Sequence, residues 1–159
     1  MSKKSPEWNR LDNAAKIFPS NTGKRDTKVF RFSCELYEEV VPEFLQQALD
    51  ITVAYFPIFR SVMKKGLFWY YFEQSRLEPV VLPETRPVCS PLYNPDYRTL
   101  LFEVTYFGRR INFEVFHALT DGNGGFLFLK SIVRNYLALV HPAEMQDVPT
   151  PNSASAAAL

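Results

Sequence analysis

Residues 99–126 read TLLFEVTYFGRRINFEVFHALTDGNGGF, and their alternation decides the fold. Apolar and polar residues alternate from Thr99 to Phe107 and again from Arg110 to His117, with Gly108-Arg109 between them. That pattern predicts a β-hairpin with one buried face. Ile111, Phe113, Val115 and His117 share one parity, so His117 is expected on the buried face, as the last residue of its strand. Asp121-Gly122-Asn123-Gly124-Gly125 follows, and then Phe126, Leu129, Val133, Tyr136, Leu137 and Val140 recur at helical spacing. Lys130 and Arg134 fall off that stripe, as they should on an amphipathic helix.

Working outward, Lys28 to Leu36 alternates with Phe30, Phe32 and Cys34 on one side and Arg31, Ser33 and Glu35 on the other, a second half-buried strand. Pro42 and Glu43 open a helix that carries Phe44, Leu45, Ala48, Leu49, Thr52 and Phe56, and Pro57 ends it. Phe59 to Gln74 reads as another hairpin, divided by Lys64-Lys65-Gly66, with a strongly aromatic second arm from Leu67 to Phe72. Pro79, Pro83, Pro87, Pro91 and Pro95 make the stretch from Glu78 to Pro95 a loop or edge connection. The order β-α-ββ-loop-ββ-α predicts an α+β domain, a mostly antiparallel sheet with helices packed on one face. Its expected limits are a lead-in at 1–27, the domain at 28–145 and a disordered tail at 146–159.

The chain has 159 residues, 18 Lys and Arg against 17 Asp and Glu, and a net charge of +1. Net charge alone therefore makes no case for nucleic acid or an acidic membrane surface. The 47% share of hydrophobic residues excludes disorder of the whole chain. Fourteen Phe and eight Tyr predict a bulky core, and Phe68 to Phe72 is expected to leave an aromatic face for a partner. Cys34 and Cys89 have neither metal-ligand nor redox-motif spacing and read as reduced thiols of a cytoplasmic protein. The polar N-terminus lacks the apolar core of a signal peptide, and no apolar run approaches the ~20 residues of a membrane span.

His117 is the candidate with chemistry in it. A lone histidine on an apolar face is most often a satisfied core residue, but this one is followed at fixed offsets by Asp121 and Gly122, where a strand gives way to a helix. A histidine so placed can act as a general base, with an unperturbed pKa near ~6.5. Asp121 also suits a helix N-cap. Competing readings of the loop fail in detail: Leu127 stands at the third glycine of a dinucleotide motif, and Phe126 at the glycine of a calcium loop. No nucleophilic serine signature accompanies the histidine.

Phe116-His117-Ala118-Leu119-Thr120-Asp121-Gly122 contains His-x-x-x-Asp-Gly, which resembles the signature of the chloramphenicol acetyltransferase and condensation-domain superfamily. Phe59-Arg60-Ser61 is similar to the Leu-Arg-Thr segment that follows the equivalent helix there, and Trp8 to Ala15 is placed like the N-terminal segment of bacterial alcohol-acetyltransferase-like members. The resemblance implies that His117 is the general base that takes the proton of an alcohol or amine acceptor as it attacks an acyl-CoA or carrier-bound thioester. It implies an ion pair of Asp121 with Arg60 that holds the loop, and a tight turn at Gly122. Acyl-CoA is then a co-substrate, with no tightly bound cofactor and no metal. Phe116 stands where peptide-forming condensation domains have a first histidine, which points to the alcohol O-acetyltransferase side. Only the first half of the family's two-half architecture is covered, so a fragment inactive alone is expected, completed by a C-terminal half or by a second copy through the aromatic face. A non-catalytic binding module of the same fold is the alternative.

Overall fold

The computed structural model describes residues 8–10 and 26–146. The lead-in at 1–27, apart from 8–10 and 26–27, and the tail from 147 onward lie outside the described residues.

The elements follow the expected order. They are β1 (Trp8–Arg10), β2 (Val29–Glu35), α1 (Pro42–Tyr55), a 3-10 turn (Pro57–Arg60), β3 (Ser61–Lys65), β4 (Tyr70–Gln74), β5 (Leu82–Pro83), β6 (Phe102–Phe107), β7 (Arg110–Phe116) and α2 (Gly122–Val140). The strands form two sheets, β1-β4-β3 and β2-β7-β6-β5, antiparallel except where β5 runs parallel to β6. The proline-rich connection thus contributes a two-residue strand, placed at the sheet edge where Pro83 removes no ladder bond from a central position. Gly108 takes the left-handed φ of 55° that the β6–β7 turn needs, a conformation open to glycine at no steric cost.

Register explains the two faces of the larger sheet. Phe30 pairs with Val115, Phe32 with Phe113 and Cys34 with Ile111, while Phe102, Val104 and Tyr106 meet the same three residues from the other side. This face lies under α1 and α2. The centre of the core is aromatic: Phe128 of α2 stacks on Phe59 of the 3-10 turn, with centroids 3.9 Å apart and planes 11° from parallel. Phe56, Phe102 and Phe113 surround Phe128 at 5.1–5.4 Å. The helices are also tied by polar contacts. The Val41 N–H donates to Tyr136 Oη at 2.9 Å, and Asn135 Nδ2 donates to Thr52 Oγ1 at 2.9 Å.

The opposite face carries Arg31, Ser33, Glu103, Thr105, Asn112 and Glu114, and the 78–95 connection folds over it. Glu114 is buried at 1% exposure and accepts from Arg31 Nε at 2.7 Å and from the Cys89 N–H at 2.8 Å. Glu84 of the connection accepts from Arg31, Arg110 and Asn112 at 2.5, 2.8 and 3.2 Å. The hydrogen bonds from Arg31 and Arg110 hold the Glu84 carboxyl below its ordinary pKa, whereas burial pushes Glu103, directly across from Glu114, upward. A polar layer of this kind is tolerable because charged partners satisfy most of it, Glu114 Oε2 and Arg110 Nε being the buried atoms left without a hydrogen-bond partner among the described residues.

Removing the Phe128 ring empties the middle of the aromatic stack. F128A is expected to cost about 3–5 kcal/mol, the range for a fully buried phenylalanine. Equilibrium urea unfolding of the variant against the parent measures it, with L127A, on the partly exposed side of the same turn, costing much less.

Candidate functional site

β7 is an inner strand of its sheet, held by β2 on one side and β6 on the other. It ends at Phe116, and the His117 N–H adds one more rung by donating to Lys28 O at 2.7 Å. The Leu119 N–H then donates back to Phe116 O at 2.9 Å, closing the turn that leads to α2. Asp121 is the N-cap of α2: its Oδ1 accepts from the Gly124 N–H at 2.8 Å, and its carbonyl accepts from the Gly125 N–H at 3.0 Å. The backbone on both sides of His117 is therefore fixed, by the sheet before it and by a capped helix after it.

The His117 side chain is exposed, not buried. The parity argument holds as far as Val115; one residue past the last strand pair the helical layer no longer lies over the sheet, and the imidazole reaches the surface. It meets the Phe30 ring edge-on, with centroids 5.1 Å apart. Phe30 in turn contacts Phe32 at 5.6 Å, and Phe32 contacts Phe126 at 5.8 Å. Phe126 is 57% exposed in the first turn of α2. An aromatic row thus runs from the imidazole along β2 to the start of the helix.

Gly125 makes that row possible. A Cβ there would stand 3.1 and 3.3 Å from Phe30 and 3.3 Å from Phe32, closer than ordinary contact, so the two rings pack directly on the helix backbone. The family resemblance implies the glycine requirement at Gly122 instead. A Cβ at Gly122 would meet nothing within 4 Å, and its φ is not left-handed, because it is already the first helical residue. The glycine-rich run is the first turn of α2, not a loop before it.

The expected Arg60–Asp121 ion pair does not form. Arg60 Nη2 lies 3.6 Å from Glu78, and the Arg60 carbonyl accepts from the Ser75 N–H at 2.9 Å, so the residue faces the segment after β4. Asp121 Oδ1 is engaged by the helix N-terminus, where a carboxylate satisfies otherwise orphaned N–H groups. Arg60 Nε is buried with no hydrogen-bond partner among the described residues. Phe116 points to the other side of the sheet, fully buried and stacked at 5.9 Å on Tyr93 of the connection. A groove of about 390 Å³ lies at the far end of β2, lined by Cys34, Leu36, Val133, Tyr136 and Leu137, and His117 takes no part in it. Among the described residues no group of His, Cys, Asp and Glu could hold a metal ion.

No protein-family model and no curated protein matches the sequence. Solved structures do. The epimerization domain from the third module of tyrocidine synthetase B superposes with a TM-score of 0.69 at 13% identity, over 93% of this chain and 37% of that one. The chain has the fold of a condensation-domain half. The first condensation domain of the calcium-dependent antibiotic synthetase gives a TM-score of 0.66 at 17% identity, over 92% of this chain and 40% of that one. A variant of the starter condensation domain of rhizomide synthetase, solved in complex with C8-CoA, gives 0.60 at 13% identity, over 73% of this chain and 31% of that one. The chain thus spans between 31% and 40% of these condensation-type structures.

The two roles assigned to Asp121 differ in what asparagine does. Asparagine caps a helix about as well as aspartate but cannot form an ion pair. D121A is expected to lose about 1 kcal/mol in urea unfolding and D121N to lose little. Equal large losses in both would restore the ion-pair role.

Proposed function

We propose that this chain is the N-terminal half of an acyl-CoA-dependent acyltransferase, of the alcohol O-acetyltransferase type, with His117 as general base. The observation that carries the reading is the exposed imidazole at the end of an inner strand, fixed on both sides by backbone and flanked by an aromatic row. The fold supports it, since a structure of that fold binds C8-CoA. In the proposed step the imidazole takes the proton of an acceptor hydroxyl or amine, the acceptor atom bonds to the thioester carbonyl carbon, and the C–S bond breaks. The departing CoA thiolate then recovers the proton from His117. Phe30, Phe32 and Phe126 offer apolar surface to the acyl chain.

Residues 28–145 form the half-domain in this proposal, and a C-terminal half, or a second copy of the chain, covers the open side beside His117 and supplies the groups that steady the oxyanion. The half alone is then inactive. Free thiols at Cys34 and Cys89 fit a cytoplasmic setting, and among the described residues no helix is long and apolar enough to cross a membrane.

One observation favours a second reading, a non-catalytic binding module. Asp121 and Arg60 are not joined, so the loop-holding pair that the motif implies for catalysis is replaced by an ordinary helix cap. The two readings separate in one assay. With the assembled enzyme, thiol release from acyl-CoA in the presence of an alcohol panel is expected to fall by about 10²–10⁴-fold in H117A, the usual contribution of a general base. Acyl-CoA affinity should change little. Turnover within a few-fold of the parent would give the binding-module reading the lead.

A further inference from the structure

Tyr93 of the proline-rich connection packs edge-on against Tyr70 at 6.3 Å and Phe72 is buried, so the aromatic face expected from Phe68 to Phe72 is not continuous. At Cys89 the same connection reaches the base of the candidate site. Cys89 has a left-handed backbone, with φ 56°, and so has Lys28, also with φ 56°. Among the described residues no other non-glycine residue has a positive φ. Thr27, next to Lys28 in the chain, joins the two, because its Oγ1 donates to Cys89 O at 2.8 Å. Residues with side chains adopt this conformation at a cost, and such residues collect where function requires a particular backbone path.

Lys28 stands across from His117, one step beyond the register pair of Val29 with Phe116. A hydrogen-bonded pair in a regular antiparallel ladder exchanges two bonds. Here Lys28 O accepts from the His117 N–H at 2.7 Å, while the Lys28 N–H turns away and donates to Asp26 Oδ1 at 3.3 Å. Asp26 also holds the Lys28 ammonium, and Thr27 Oγ1 accepts from the Val29 N–H at 3.4 Å. Short polar side chains that bond the backbone two residues on build turns of this kind. On its far side the turn is anchored through Cys89, whose N–H donates to the buried Glu114 at 2.8 Å. Lys28, Thr27 and Cys89 thus form a bracket with both ends on the last residues of β7, at Glu114 and at His117.

We propose that Lys28 is a positioning residue for His117: its left-handed backbone aims the carbonyl that fixes the His117 amide, and with it the direction in which the imidazole leaves the end of β7. The bond from Cα to Cβ follows the backbone, so the edge-on placement of the imidazole at 5.1 Å from Phe30 follows from that amide. The consequence for turnover rests on the acyl-transfer reading; the bracket does not. What the role needs is a backbone and not a charge. A β-branched residue is a genuine outlier in the left-handed region, whereas glycine enters it freely. Valine and glycine both remove the ammonium, so comparing them isolates the backbone.

Amide hydrogen exchange and steady-state kinetics test it. In the 159-residue chain, exchange of the His117 amide should speed up by about tenfold or more in K28V. That of Phe113, paired with Phe32 further along β2, should change little. K28G should restore the protection. In the assembled enzyme K28V should lower kcat by about tenfold or more with KM for acyl-CoA nearly unchanged, and K28G should recover most of the loss. In an H117A background K28V should have no further effect, which a general loss of stability would not reproduce. Lys28 lies just outside β2, so circular dichroism should show K28V and K28G folded. Parent-like protection of the His117 amide in K28V, or equal impairment in K28V and K28G, would overturn the proposal. So would a K28V loss of the same size with and without His117. Parent-like turnover in H117A would overturn the acyl-transfer reading instead, with the exchange comparison still deciding for or against the bracket.

Discussion

Phe128 lies flat on Phe59, and much of the molecule is arranged by that contact. The stack joins the second helix to the turn that follows the first, and Phe102 and Phe113 join both to the sheet. Offset and edge-on aromatic pairs prefer definite geometries and contribute beyond the area they bury, so a cluster of five rings fixes orientation as well as distance. With Phe128 in place, the first turn of α2 has little freedom. Gly125, one turn earlier, is brought against Phe30 and Phe32 of β2, and Asp121 against the amides it caps. The exposed His117 is therefore a surface residue on rigid support, which is what a group that must meet a substrate in one orientation requires.

The sheet divides its work by strand parity. One face serves the aromatic core. The other is a layer of Arg31, Glu84, Asn112 and Glu114, closed by the proline-rich connection through the Cys89 amide and Glu84. Charged groups at these positions define how the connection lies on the sheet, because each hydrogen bond left unmade there would cost more than an apolar mismatch. Proline suits such a segment: it cannot extend into a competing ladder, and its fixed φ lowers the entropy lost on docking.

Much of this was legible in the residues. The strands at 28–36 and 110–117, the helix opened by Pro42 and the hairpin around Lys64-Lys65-Gly66 follow from period and turn chemistry, which are local properties. What escaped was set by tertiary placement. Alternation put His117 on the buried face, but alternation cannot tell where the covering helices stop. The glycine-rich run looked like a loop because glycine is a poor helix former; its role at Gly125 depends on two rings nearly a hundred residues earlier. The pairing of Arg60 was inferred from a motif, and the structure joins it to Glu78 because its turn faces that segment. Asp121 was legible in one of its two readings, as the cap.

The central claim is that the exposed imidazole of His117, at the head of the aromatic row, is where an acyl thioester is met. The chain has two histidines, His117 and His141, which makes the claim open to a direct measurement. In histidine-labelled protein, with H141Q assigning the signals, a non-transferable thioether analogue of an acyl-CoA is titrated and the imidazole resonances are followed by NMR. The account predicts that the His117 signals move with saturation while those of His141, at the far end of α2, stay in place. Saturable binding that shifts His141 alone, or neither histidine, would contradict it.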